Sequence, residues 1–374
     1  MRILTLFCLS FFSLISLGAS IPADMSFIVI DLKYNQNDGV KVCEIQQGLG
    51  CVFYGVEHIE GKKNAFGEIF CDYLFPYFQR NWYVRPRISP EITSILKKNS
   101  NWTRLFSFDE VVTKQEIKKY AQTKVKDPSS LSSYHGLVIS HYKLISESAL
   151  KKVKGLIVMN RAFLPIFGSE LFSDKRLMSE LFDKDERLRK IKPKWKSYNK
   201  GYSEELIEQI NQDFPGDIIV IKPRVGLQGR GIAIIRKEEL PAILEYVFSG
   251  VTELADDPDP TYNWWAQDSF SDFIVEEFIE SDPILAPHLS DDYYDGTMRV
   301  PVILTYDRGE IQVHCLYMWW KLPTRTLSEE CSLTDKHKSY SLRVDNHMFV
   351  EDEIKEKVKD QLVEALPALY EQLL

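Results

Sequence analysis

Beyond its first residues the chain has no apolar run long enough to span a bilayer, no cysteines at tight metal-binding spacing and no excess of positive charge. Six cysteines are present. Cys8 falls in the leader, and Cys43, Cys51, Cys71, Cys315 and Cys331 are odd in number and widely spaced. That pattern argues against both a disulfide scaffold and a zinc site. A net charge of -8 over 374 residues argues against a broad nucleic-acid footprint, although a local basic cleft needs only a few side chains. No internal repeat is evident. Neither the GxxxxGK[ST] phosphate loop nor a glycine turn opening a helix of the Rossmann kind occurs.

What is present is a sequence able to fold over most of its length. Hydrophobic residues make up 44% and aromatic residues 12%, enough for one large core or two to three smaller ones. The start, MRILTLFCLSFFSLISLGAS, places one Arg before a short apolar run. Residues 1–19 therefore read as a secretory signal segment, with a buried first element or a membrane anchor as the alternatives. Asn101-Trp102-Thr103 is a glycosylation sequon of consequence only in a eukaryotic secretory route.

SFIVIDLKYNQNDGVKVCEIQQG reads as strand, polar turn, strand. Asp31 and Glu44 are expected there as exposed strand-end carboxylates, with a place in the lining of a site as the alternative. FGEIFCDYLFPYF predicts a buried helix ending near Pro76. HGLVIS and KGLIVMN, at 135–140 and 154–160, are short strands with a helix between them, which predicts a parallel sheet. The segment 170–190 is helical and charged. KIKPKWKSYNKG is a basic turn, read either as a solvated face or as the source of a lysine for a phosphate pocket. The last stretch, from Val350, is an amphipathic helix with acidic residues at its start.

Three stretches carry chemistry. In DIIVIKPRVGLQGRGIAII an apolar strand ends at Lys222, and Gly226, Gly229 and Gly231 make a turn before a second strand. Glycines let backbone N–H groups approach and cradle phosphates, Lys222 adds a point charge and Arg230 a forked donor. In DFIVEEFIESD an apolar strand runs into Glu276, Glu277 and Phe278. Strand backbone can read the edge of an adenine, an acidic side chain can accept from its amine, and Glu280 or Asp282 can accept from a ribose hydroxyl. In DGTMRVPVILTYDRGEIQVHCLYMWWKLP, Arg299 enters one strand and Lys321 follows the returning one, Ile311 to Trp319, so that both cations can face one cleft, with a salt-bridged hairpin as the alternative. His314 and Cys315 are expected to be core residues.

In their order, these pieces resemble the ATP-grasp superfamily of carboxylate-amine ligases over roughly 135–374, with Phe172-Ser173-Asp174-Lys175 similar to that family's Asp-Lys helix start. The resemblance implies an α/β chain: an ATP-grasp domain at 171–374, a small parallel α/β segment at 131–170 before it, and an N-terminal α/β region at 20–130 without assigned role. Carried over by residue, Lys222 contacts the phosphates. Gly229, Arg230 and Gly231 form the mobile flap. Glu276 meets the adenine amine, with Glu277 and Phe278 as hinge and Glu280 or Asp282 on the ribose. Arg299 and Lys321 hold the transferred phosphate. The other ATP lysine comes from Lys192, Lys194, Lys196 or Lys200, with Lys194 preferred. The family's acidic residue and later Glu-x-Asn, which hold Mg²⁺, are not matched in the tail SLTDKHKSYSLRVDN, where Val344 stands in place of the Glu. Asp335, Asp345 and Asn346 are the substitutes expected.

The implied reaction is ATP-dependent amide or peptide-like bond formation through an acylphosphate, between a small-molecule or protein carboxylate and an amine donor. A kinase on the same fold, a nucleotide-binding protein without turnover, and an extracytoplasmic binding protein are the rivals. The leader implies export, whereas ATP use implies the cytoplasm or a host cytosol.

Overall fold

A computed structural model describes residues 21–46, 50–84, 102–140, 144–164, 174–226, 229–249, 252–339 and 344–374. The leader at 1–19, Asn101 of the sequon, and Phe172 and Ser173 of the helix-start motif lie outside the described residues.

The largest sheet is built on two strands from opposite ends of the chain. β1 (Asp24–Asn35) and β2 (Gly39–Gln46) form a hairpin. Its turn is closed by Asn35 Oδ1, which accepts from the N–H groups of Asn37 and Asp38 at 3.0 and 2.7 Å. Gly39 follows at φ 67°, a left-handed conformation that glycine adopts without a Cβ clash. Alternation along β1 decides its place. Ile28, Ile30 and Leu32 point one way; Met25, Phe27 and Val29 point the other, followed on that face by Asp31 and Lys33. A strand apolar on both faces is stable only inside a sheet covered on both sides.

The chain continues with a small parallel sheet, β3 (Asn81–Val84), β4 (Trp102–Leu105), β5 (Leu137–Ser140) and β6 (Ile157–Val158), in the order β4-β3-β5-β6. The expected strands at 135–140 and 154–160 are its second half, and β3 and β4 come from before residue 131. The parallel sheet therefore crosses the boundary drawn there from sequence. A second antiparallel sheet follows, in the order β7-β10-β8-β9, from β7 (Trp195–Asn199), β8 (Ile218–Pro223), β9 (Ala233–Arg236) and β10 (Asp272–Glu277). After the short pair β11 (Ile284–Leu285) and β12 (Tyr293–Tyr294) come β13 (Thr297–Asp307), β14 (Glu310–Cys315), β15 (Trp319–Lys321) and β16 (His347–Phe349).

The large sheet runs β16-β15-β13-β1-β2, with β14 also on β13. The predicted single returning strand from Ile311 to Trp319 is thus two strands. His314 and Cys315 on β14 are half-buried rather than fully in the core. The architecture is mixed α/β, with the parallel sheet separate from the antiparallel ones. The N-terminal hairpin is not a region apart: β1 is hydrogen-bonded along β13 with Asp31 opposite Arg299.

Helix Asp352–Glu371 covers one face of the large sheet through Val358, Leu362, Leu366 and Leu369, which pack with Ile28, Ile30 and Val300. The other face packs Phe27 and Val29 against Phe66 and Phe70 of helix Ala65–Leu74 and against Leu137 and Ile157 of the parallel sheet. The antiparallel four-stranded sheet has its own core around Ile219, Ile221, Phe273 and Val275. No helix among the described residues is long and apolar enough to cross a membrane.

Candidate active site

Between the large sheet and the second antiparallel sheet lies a cavity of about 340 Å³, within the range of small-molecule sites. Among the described residues, six of its lining side chains are Lys or Arg and four are Asp or Glu. The local excess of positive charge in an acidic chain marks it for an anionic ligand.

One wall comes from the second sheet. Val220, Ile232 and Ile234 supply apolar surface, and Phe278 and Ile279 line the cavity just past the end of β10. Glu276, 2% exposed, points inward between two ammonium groups. Lys192 Nζ donates to its Oε1 at 2.6 Å and Lys222 Nζ to its Oε2. Burial pushes the Glu276 carboxyl upward, but the two lysines outweigh it and hold it below its ordinary value. Burial in turn lowers Lys222, and Glu276 more than restores it.

The turn between β8 and β9, of which residues 227 and 228 lie outside the described residues, carries two glycines in left-handed conformations. Gly229 and Gly231 sit at φ 72° and 74°, and Gly229 lines the cavity. A Cβ on Gly231 would lie 2.6 Å from Pro223 Cγ and 2.9 Å from Trp264 Cδ1, so only glycine fits. Arg230 is exposed, its guanidinium 5.6 Å from the Trp264 ring centroid, and is not among the lining residues. At the expected helix start, Asp174 Oδ1 caps the helix Lys175–Phe182 by accepting from Leu177 N at 3.0 Å. Lys175 then reaches the cavity and donates to Gly226 O at 3.1 Å.

The opposite wall is the charged end of the large sheet. Arg299 and Lys321 converge, as the sequence predicts, but onto a protein carboxylate. Arg299 Nε and Nη2 grip Asp31 Oδ1 and Oδ2 at 2.7 Å each, and Lys321 Nζ donates to Oδ2 at 2.7 Å. Asp31 is 6% exposed. Burial works to raise its pKa, and the two cations hold it well below the usual carboxylate range. Lys321 is lowered by burial and by the neighbouring Arg299, against the pull of Asp31. Two residues along the same strand face, a step of about 6.7 Å, Lys33 Nζ meets Asp295 Oδ2 at 2.6 Å. His337 Nδ1 lies 2.7 Å from the same oxygen, and its ring packs edge-on to Phe278 with centroids 4.7 Å apart.

Several sequence expectations need correction. Asp31 and Glu44 are not exposed strand-end carboxylates: β1 and β2 run through the sheet, and both side chains line the cavity. Lys194 does not point into the site. It is exposed, its Nζ donates to Asp213 O at 2.6 Å and its main-chain N–H to Glu277 Oε1 at 2.6 Å. Lys192 is the lysine of that turn that reaches the buried carboxylate of β10. Glu277 and Phe278 do line the cavity, while Glu280, with a side chain 58% exposed, sits at its rim, 3.9 Å from His337 Nε2.

The expected metal ligands are not brought together. Asp335 accepts from Ser332 Oγ in a helix cap, Asn346 donates to Pro323 O, and Asp345 is exposed. None of the three lines the cavity, and no group of three or more potential ligands suited to a metal occurs among the described residues. These residues do not fit a magnesium site. Sequence reasoning did not single out Lys33, Asp295, His337 or Lys338 for the cavity walls. The one sequence signal for Lys33 is a charged residue on a strand that is otherwise apolar on both faces.

No protein-family model matches the chain, and no curated protein matches it by sequence. Among solved structures it is similar to a protein assigned as gamma-glutamylcysteine synthetase from Methylobacillus flagellatus KT, at 8% identity and a TM-score of 0.42, over 94% of this chain and 89% of that one. It is similar also to VanG D-Ala:D-Ser ligase from Enterococcus faecalis, at 14% identity and 0.40, over 78% and 83%. A third is D-cycloserine synthetase, at 11% identity and 0.39, over 78% and 81%. Likenesses this distant assign no activity, and the functional reading below rests on the side chains of the cavity.

Proposed function

We propose that this chain binds a nucleoside triphosphate, ATP in the first instance, between its two antiparallel sheets and uses it to join a carboxylate to an amine. The observation that carries the reading is the division of the cavity. An apolar slot beside the end of β10 suits a base, and it opens onto cations supplied from both sheets, Lys222 on one side and Arg299 and Lys321 on the other. Such a pairing suits a flat heterocycle followed by a chain of phosphates.

In the proposed reaction a carboxylate oxygen of the acceptor attacks the γ-phosphorus, the bond to the β,γ-bridging oxygen breaks, and ADP leaves with that electron pair. The amine then attacks the acyl carbon, gives up a proton, and inorganic phosphate leaves. Arg299 and Lys321 neutralise the charge gathered on the transferred group. Lys222 aligns the triphosphate, and the Gly229–Gly231 flap closes over it, so catalysis consists of positioning and charge compensation. A divalent cation, when bound, supplies further neutralisation of the phosphates. Use of ATP argues for the cytoplasm or a host cytosol, and the leader for export.

One observation favours a rival without turnover: both Arg299 and Lys321 are engaged by Asp31. A single set of measurements separates the readings. Calorimetric titration of Mg-ATP into the full chain should give saturable binding that Lys222→Ala removes while the variant remains folded by circular dichroism. ADP release that requires both a carboxylate and an amine supports ligation. A stable phosphorylated acceptor without amine incorporation supports the kinase. Binding with no ADP release over a broad acceptor panel supports the rival without turnover, and no binding by folded wild type refutes the nucleotide reading.

A further inference from the structure

The N-terminal hairpin carries oxygen donors into the cavity that the tail does not provide. Asp31 and Glu44 are register partners on adjacent antiparallel strands, so their side chains leave the same face of the sheet. Gln46, further along β2, also lines the cavity, and its Nε2 donates to Asp31 Oδ2 at 3.1 Å.

The two carboxylates differ in one respect. Asp31 is saturated: Arg299 occupies both oxygens, and Lys321 and Gln46 share the second. Glu44 is half-buried, and among the described residues its carboxylate accepts no hydrogen bond and forms no ion pair. Burial raises its pKa, Lys175 pulls the other way, and Asp31 adds to the rise. A half-buried carboxylate without a hydrogen-bond partner costs stability. Its retention inside a cavity is understandable if a ligand completes it.

The surroundings narrow the class of ligand. Lys175, Lys222, Arg299 and Lys321 share the cavity with Glu44 and disfavour a cation arriving alone. A cation that arrives on a polyphosphate is not so disfavoured, because the phosphates neutralise those same side chains. Hard divalent ions of the magnesium type take carboxylate and amide oxygens, keep several waters, and bridge to phosphate oxygens. Glu44 offers two oxygens, and the Gln46 amide can turn to present its own. Asp31 joins them when phosphate oxygens replace it on Arg299 and Lys321. Asp31 holds these two cations where the proposed reaction would put the transferred phosphoryl group.

We infer that the β1–β2 hairpin, through Glu44 with Gln46 and Asp31, holds the divalent cation that accompanies the nucleotide's phosphates. The inference rests on the nucleotide reading above and moves the metal site from the tail to the opposite end of the chain.

The test compares full-length wild type, Glu44→Gln and Asp335→Asn. A non-hydrolysable ATP analogue is titrated calorimetrically, once in EDTA and once in Mg²⁺, and each protein is checked for folding by circular dichroism. Glu44→Gln should bind the analogue in EDTA at least as well as wild type, since it removes a negative charge from the phosphate path. It should lose about tenfold or more of the gain that Mg²⁺ gives wild type. Asp335→Asn should keep that gain. A Glu44→Gln variant that keeps the full Mg²⁺ gain overturns the inference, as does an Asp335→Asn variant that loses it. Equal wild-type binding in EDTA and Mg²⁺ removes the metal site and leaves the nucleotide reading standing. Binding in neither medium removes both.

Discussion

Replacing Lys192 by methionine and, separately, Lys194 by alanine puts the choice of phosphate lysine to a direct test. Lys192 Nζ is 2.6 Å from Glu276 Oε1 within a buried cluster of two ammonium groups and one carboxylate. That cluster carries one positive charge in excess, which it presents to a phosphate oxygen in the cavity through Lys222, since Lys192 itself is not among the lining residues. A charge-assisted hydrogen bond to phosphate contributes about 1.5–3 kcal/mol, and about 1.4 kcal/mol is tenfold in affinity. Lys192→Met should therefore weaken ATP binding about 10–100-fold. Its stability should change by only about 1 kcal/mol, because Glu276 keeps Lys222 and the penalty of a stranded buried charge does not arise. Lys194, exposed and bonded to Asp213 O, should change affinity by less than about twofold when replaced by alanine. Calorimetric titration with ATP and thermal melts of both variants make the measurement. An unchanged affinity in Lys192→Met, or a tenfold loss in Lys194→Ala, would refute the assignment.

Asp31→Asn removes the carboxylate that Arg299 and Lys321 share, leaves Glu44 as the remaining acidic group beside them in the cavity, and should destabilise the protein by about 3 kcal/mol. Added ATP should recover part of that loss in the melting temperature, because phosphate takes the place of the lost carboxylate. Gly231→Ala should cost at least about 2 kcal/mol, from the left-handed φ together with contact on Pro223 and Trp264. Gly229→Ala, whose new Cβ would meet only the flexible Lys338 side chain, nearest atom Cδ at 3.3 Å, should cost about 1 kcal/mol. Equal losses at the two positions, read from denaturant midpoints, would contradict the packing argument.

What could be read from sequence and what could not divides along a physical line. The β8–β9 turn and the end of β10 were legible because each is a contiguous stretch whose composition carries its role: strand, lysine and glycines in one case, an apolar run ending in paired glutamates in the other. Arg299 and Lys321 were legible for the same reason, as cations at the ends of strands. Their partner was not. Asp31 is separated from Arg299 by 268 positions, and local pattern does not reveal which strand will lie beside β13. The clue lay in β1 itself, where FIVIDLKY is wholly apolar on one face while the other face passes from Phe27 and Val29 to Asp31 and Lys33. Charge on a strand that must be covered on both sides calls for charged partners inside the fold, and such partners were at hand in Arg299. Lys192 escaped for a related reason. In KIKPKWKSYNKG the lysines are equivalent by composition, but Val42 N donates to Ile191 O at 2.6 Å, tying the residue before Lys192 to the hairpin. Metal ligands were expected in the tail because a site that kept its position in the chain would fall there. A sheet places ligands by strand neighbourhood instead, and in the order β16-β15-β13-β1-β2 the N-terminal hairpin, not the tail, supplies the carboxylates beside Arg299.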